Sequence, residues 1–223
     1  MQIFIILHAK GLEMKKKNPL SQFGNVPVQT GTLMACLEDY ASSTEKIRAL
    51  EQAGQLIRLK RGLYVASNEA GGAAVDARIC ANHIYGPSYV SFQWALRWYG
   101  LIPEQVYTLT SATTKRSRTF ENPLGRFTYQ QVTVPYFSIG IQSVKSGNTS
   151  CLMASPEKAL CDTILHTTYL PPQSAKGLSV YLEEDLRMDI GALKTFDIRI
   201  IEECAAVGRK KTILNNLIKI IKQ

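Results

Sequence analysis

The chain has little of what a membrane protein, a metalloprotein or a disulfide-stapled secreted protein needs. None of its apolar runs approaches the roughly 20 residues of a membrane-spanning helix. Histidine occurs only at positions 8, 83 and 166. The five cysteines, at 36, 80, 151, 161 and 204, are odd in number, widely spaced and free of any C-x-x-C pair. That argues against a disulfide framework and predicts reduced, mostly buried thiols in a cytoplasmic protein. Cys80 and His83 form a lone pair, short of the four ligands of a structural zinc site, so no metal is expected. There is no phosphate-cradling glycine loop and no G-x-S-x-G.

Acidic residues are also missing where they would matter most. Of the 223 residues, 1–66 carry nine Lys/Arg against five Asp/Glu, and 67–204 carry twelve against thirteen. Residues 205–223 carry five cations and no acid, which completes a net charge of +8. A neutral body with basic ends suits a polyanionic partner. The 45% hydrophobic content is that of a globular protein able to bury a core. The opening "MQIFIILHAKG" has an apolar segment without preceding cations or a small-residue cleavage site, so no signal peptide is expected. Met14 reads as the more natural start, and residues 1–17 are expected to be a leader outside the fold.

From Val26 two helical patterns follow one another, separated by "EDYA", about the length of a helix-turn-helix turn. In the first, Leu33, Met34 and Leu37 share a face, with Thr30 or Thr32 as N-cap. In the second, Ser42 and Glu45 form an S-x-x-E capping box, and Gly54 supplies the stop. Ile47 and Leu50 face inward together, which leaves Ser43, Thr44, Lys46 and Arg48 near or on the outside. "GQLIRLKRGLYVAS", residues 54–67, then reads as a hairpin. Ile57 and Leu59 are expected on one side and Arg58 and Lys60 on the other, with Arg61-Gly62 as the turn. Helix, turn, helix and cationic hairpin is the winged-helix plan: the second helix enters a major groove and the hairpin lies along phosphates. Residues 18–70 are therefore expected to be a winged helix-turn-helix DNA-binding domain.

Residues 71–223 are expected to be an α+β domain with a small antiparallel sheet and C-terminal helices. "AAVDARICANHIYG" and "SFQWALRWYG" read as helices closed by glycine, and "VYTLTSA", "RTFENPLGRFTYQQVTV", "YFSIGIQSV" and "NTSCLMA" as strands. Asn122-Pro123 marks a hairpin turn. Ser155 and Pro156 open a helix as N-cap and first residue, and Leu214, Leu217, Ile218 and Ile221 form an apolar stripe near the end. The boundary rests on "SNEAGG", residues 67–72.

No catalytic constellation emerges, and neither an enzyme nor a cofactor is expected. Glu157, Lys158 and Asp162 sit in the first turns of a helix, where structure explains them better than chemistry. Lys115, Arg116 and Arg118 in "TTKRSRTF" are a candidate phosphate- or nucleic-acid-binding surface, against the plainer reading of a solvated loop.

The combination of "IRLKRGLYV", "YVSFQWALRWYGLIPEQVYTLTSATTKRSRTFENPLGRFTYQQV" and "SPEKALCD" resembles the AbiEi family, antitoxins of type IV toxin–antitoxin pairs that act in abortive infection. The similarity runs from about Val28 to Leu165. It implies a transcriptional regulator that binds double-stranded DNA of its own promoter and neutralises a nucleotidyltransferase-like toxin. The family's DNA-contacting positions map onto Ser43, Thr44, Lys46, Arg58, Lys60 and Arg61, with Arg48 added as the second cation of the recognition helix. That helix is weakly basic, a departure that leaves a protein-docking winged helix as the alternative. No D…E-x-K nuclease pattern is present.

Overall fold

The computed structural model describes residues 18–168 and 174–223; the expected leader at 1–17 lies outside the described residues. The architecture is mixed α+β, with a small antiparallel sheet, a larger mixed sheet and helices at the C-terminal end. Among the described residues, no helix is long and apolar enough to cross a membrane.

The chain first makes a 3₁₀ turn at Pro19–Gln22, then β1 (Val28–Gln29), α1 (Thr30–Cys36) and α2 (Ser43–Gln52). The start of α2 follows from its capping residue: Ser42 Oγ accepts the N–H of Glu45 at 3.3 Å. Its stop follows from Gly54, whose φ of +69° few other residues adopt cheaply. Neither Thr30 nor Thr32 caps α1. Gln29 holds the N-cap position without a side-chain bond. The N–H of Thr30 donates instead to the Gly62 carbonyl at 3.0 Å, which ties the helix start to the hairpin turn.

That hairpin, β2 (Leu56–Lys60) and β3 (Leu63–Ala66), pairs through β3 with β1. Its two faces go to two cores. Leu56, Tyr64 and Ala66 pack with Leu20, Leu33, Leu37, Ile47 and Leu50. Leu59, Leu63 and Val65 join the main core of the body. All four residues of β3 are therefore buried.

The segment expected to be a boundary is also built in. Ser67 Oγ caps a short helix, α3 (Asn68–Gly71), and Gly71 lies against the backbone of Gly24. A Cβ at residue 71 would come within 2.3 Å of the Gly24 carbonyl oxygen, so only glycine fits there.

After α4 (Ala77–Ile84) come β4 (Ser88–Val90), α5 (Phe92–Trp98), β5 (Leu109–Thr113), β6 (Arg118–Asn122) and β7 (Gly125–Gln131). A short α6 (Val134–Phe137) precedes β8 (Ile141–Ser146) and β9 (Thr149–Ala154). The sheet of the body is six-stranded, in the order β6-β7-β5-β4-β9-β8. It is mixed rather than small and antiparallel: β4 runs parallel to β9, and β5 parallel to β7. The central strand β4 leaves no strand signal in the sequence because it is three residues long and buried throughout, without the alternation that marks a half-exposed strand.

Helices α7 (Pro156–His166), α8 (Ala175–Val180), α9 (Ile198–Val207) and α10 (Lys211–Ile221) complete the chain. Ser155 caps α7 with Pro156 in its first turn, and the α10 stripe of Leu214, Leu217, Ile218 and Ile221 is buried, both as the pattern predicts.

Candidate nucleic-acid interface

The residues expected to contact DNA fall into two groups with different surroundings. On α2, Thr44 and Arg48 are exposed on the outer face. Ser43 is turned back, its Oγ donating to the Leu37 carbonyl at 3.0 Å, so it fastens α2 to the end of α1. Lys46 is half-buried with its ammonium 4.6 Å from the centre of the Tyr40 ring. Thr44, Arg48, Glu51 and Arg58 line a cleft of about 110 Å³ between α2 and the hairpin.

Arg58 spans that cleft. Its guanidinium is 2.7 Å from Glu51 and 5.5 Å from the Tyr64 ring centre. The hydrogen bond it donates to Glu51, with the Tyr64 contact, raises its pKa further. The positive charge of Arg58 is thus partly neutralised within the molecule. Arg61, at the hairpin turn, is exposed and makes no ion pair among the described residues.

Lys60 does not share Arg58's surroundings, contrary to the simple alternation. The pairing of β2 with β3 slips between Arg58 and Lys60, as at a β-bulge, and Lys60 reaches the body instead. Its Nζ donates to the Ile84 carbonyl at 2.5 Å, at the end of α4. Lys115 makes the matching bond at 2.5 Å with the Gly86 carbonyl and lies over the Tyr85 ring. Arg118 lies over the Phe120 ring, 5.0 Å from its centre. Tyr85, Phe120 and Tyr129 stack edge-on or tilted beneath these cations, with centroids 5.3 to 5.7 Å apart.

Burial, and then the charges of Lys115 and Arg118, lower the pKa of Lys60. With Lys60 and Lys115 held on the Ile84 and Gly86 carbonyls, the hairpin and the "TTKRSR" loop form one cationic patch. Arg116 is exposed beside it, and none of these four cations has an ion pair among the described residues. Lys60 and the loop are brought together by β2 lying alongside β6, where Asn122 Nδ2 donates to the Leu59 carbonyl at 3.2 Å. No local pattern could have announced that neighbour.

The acid–base candidates are interior. Lys158 and Asp162 are fully buried and 3.4 Å apart. Asp162 accepts hydrogen bonds from Ser91 Oγ at 2.5 Å and Tyr136 OH at 2.7 Å. Lys158 donates to the Tyr136 carbonyl at 2.8 Å with its ammonium over that ring. Glu157 accepts the N–H of Asp197 at 3.0 Å, ahead of α9. These bonds fasten α7 to the β4–α5 turn, to α6 and to the start of α9.

Cys80 is buried, and burial pushes its thiol up to about 12, while His83 is exposed at the surface. Among the described residues no group of three or more His, Cys, Asp or Glu is placed to hold a metal ion. No protein-family model matches the chain, and no curated protein matches it.

Proposed function

We propose that this chain is a cytoplasmic, DNA-binding autorepressor and antitoxin of the AbiEi type, with a winged helix-turn-helix at residues 18–70. Its partners are the double-stranded DNA of its own promoter and a nucleotidyltransferase-like toxin. The observation that carries the reading is the cationic patch of Lys60, Lys115, Arg116 and Arg118 beside a capped helix with exposed Thr44 and Arg48. A cluster of like charges without acidic partners costs free energy in the isolated protein, and a polyanion along it removes that cost. The aromatic floor keeps the side chains over ring faces, where cations are favoured. Phosphate contacts would fall to the patch and Arg61, and base contacts to Thr44, Arg48 and Lys46.

The test is a gel-shift titration of the full chain against its own promoter fragment and a scrambled fragment of equal length. A specific repressor prefers its operator by roughly a thousandfold or more; equal affinity for both would reject the repressor role. The antitoxin role is tested by co-expression with the presumed toxin, where failure to restore growth would reject it.

A second reading, a protein-docking winged helix, is favoured by one feature: Arg58 is already paired with Glu51, and Lys60 already donates to a backbone carbonyl. Under that reading the scrambled and promoter fragments bind equally weakly.

A further inference from the structure

A separate site lies where α7 ends and α10 begins. A cavity of about 310 Å³ is lined there by Thr133, Tyr136, His166, Thr167, Arg209 and Lys210, among others. A second, more open cleft of about 470 Å³ shares His166 and Thr167 with it and is lined by Phe92, Gln93, Gln105, Tyr107 and Gln130, among others, and by Glu104, whose carboxylate is paired with Arg187 at 3.5 Å. His166 stands at the junction, edge-on to Phe92 with ring centroids 5.2 Å apart.

The first cavity is cationic beyond what folding requires. Lys210 serves the structure, its Nζ donating to the Ile164 and Thr167 carbonyls at 2.9 and 2.5 Å, at the end of α7. Arg209 has no such use: it is exposed and makes no ion pair among the described residues. Three consecutive cations, Arg209, Lys210 and Lys211, crowd the start of α10, where the N-cap residue, Lys210, makes no side-chain capping bond to the first turn. Helix starts favour acids, so this arrangement works against the free protein unless an anion lies there. Residues 169–173 are Tyr-Leu-Pro-Pro-Gln and bring no acid by sequence.

The second cleft has a different character. Three glutamine amides offer both donors and acceptors, and Tyr107 is 83% exposed, an aromatic face without a covering partner. Aromatic faces stack on bases, and amides read base edges. A cationic cavity that shares His166 and Thr167 with an amide-and-aromatic cleft matches a ligand with a phosphate at one end and a base at the other.

We propose that these two cavities together bind a nucleoside phosphate, with the phosphate against Arg209, His166 and the start of α10 and the base in the cleft beside Tyr107. This site is independent of the DNA-binding reading. Desolvation lowers the pKa of His166; Asp162 opposes this, while Lys210, Arg209 and Lys158 add to it. A bound phosphate places negative charge beside the ring and raises that pKa.

The experiment follows the ring signals of His166 by NMR in the full chain. Inorganic phosphate and each of the four ribonucleoside 5′-monophosphates are titrated separately. With three histidines in the chain, a His166→Gln variant assigns the signal. At least one nucleotide is expected to shift His166 and raise its pKa, at concentrations roughly tenfold below those needed for inorganic phosphate. Arg209→Ala is expected to weaken that nucleotide about tenfold. Arg126→Ala, which removes the same charge from the β6–β7 hairpin, is expected to leave it unchanged. No shift with any nucleotide overturns the proposal. Equal affinity for inorganic phosphate overturns the base cleft, and equal weakening by both variants reduces the effect to general charge.

Discussion

Lys60 and Lys115 donate to the carbonyls of Ile84, the last residue of α4, and Gly86, two residues beyond it. That relationship places a hairpin cation and a loop cation in the same patch, although their sequence neighbourhoods have nothing in common. It also makes the patch a property of the folded chain rather than of either segment.

Changing Lys115, Arg116 and Arg118 together to Ala should weaken binding to any DNA sequence. The slope of log K against log salt should become shallower by about 3, close to one for each phosphate no longer neutralised. Thermal melting of the free variant should fall little, because all three are exposed and the loss of the Lys115–Gly86 bond and the ring contacts is offset by relief of the repulsion among the cations. Unchanged DNA affinity in a folded variant would remove the loop from the interface.

Cutting the chain to residues 73–223 should yield a poorly folded product. The cut removes Leu59, Leu63 and Val65 from the main core, and each buried aliphatic side chain contributes about 1.5 to 3 kcal/mol. Circular dichroism melting should show a lower, broader transition than the full chain. A sharp transition at the parent temperature would mean that the shared hairpin adds little.

The buried pair makes a stability prediction. Lys158→Met leaves the Asp162 carboxylate with hydroxyl donors alone, and breaking a buried pair costs about 3 to 5 kcal/mol. Adding Asp162→Asn should return part of that loss. Urea unfolding of both variants measures it; a single variant as stable as the parent would contradict the account.

Asp76 sets part of the acid limb. Desolvation would raise its carboxyl, but hydrogen bonds from Arg78 and Ser146 outweigh that and hold it below the usual carboxylate range. A depressed acid stabilises fully above its ordinary pKa, and that stabilisation is lost as pH falls through the lower, folded value. Asp76→Asn should flatten the stability profile across that acid window. An unchanged acid limb would show that other carboxylates govern it.

Much of the local structure is legible in the sequence because it is written in single residues. Ser42 opens α2, Gly54 closes it, Pro123 turns the β6–β7 hairpin, and Ser155-Pro156 opens α7. What is not legible depends on distant neighbours. The short strand β4 is defined by its partners β5 and β9 rather than by its own pattern. The slip in β2 turns Lys60 toward the body, and alternation alone cannot foresee it. For the site, the residue types are legible, but which cations are free is not. Sequence position marks Arg58 and Ser43 as DNA contacts, yet both are bonded within the fold, whereas Arg61, Arg116 and Arg48 remain exposed.

The central claim is that the patch binds the phosphates of the protein's own promoter. Its most direct test is a salt titration of the full chain on that promoter fragment. With roughly four to six phosphates neutralised, log K should fall against log salt with a slope of about −4 to −5. A flat titration, or no binding at low salt, would contradict it.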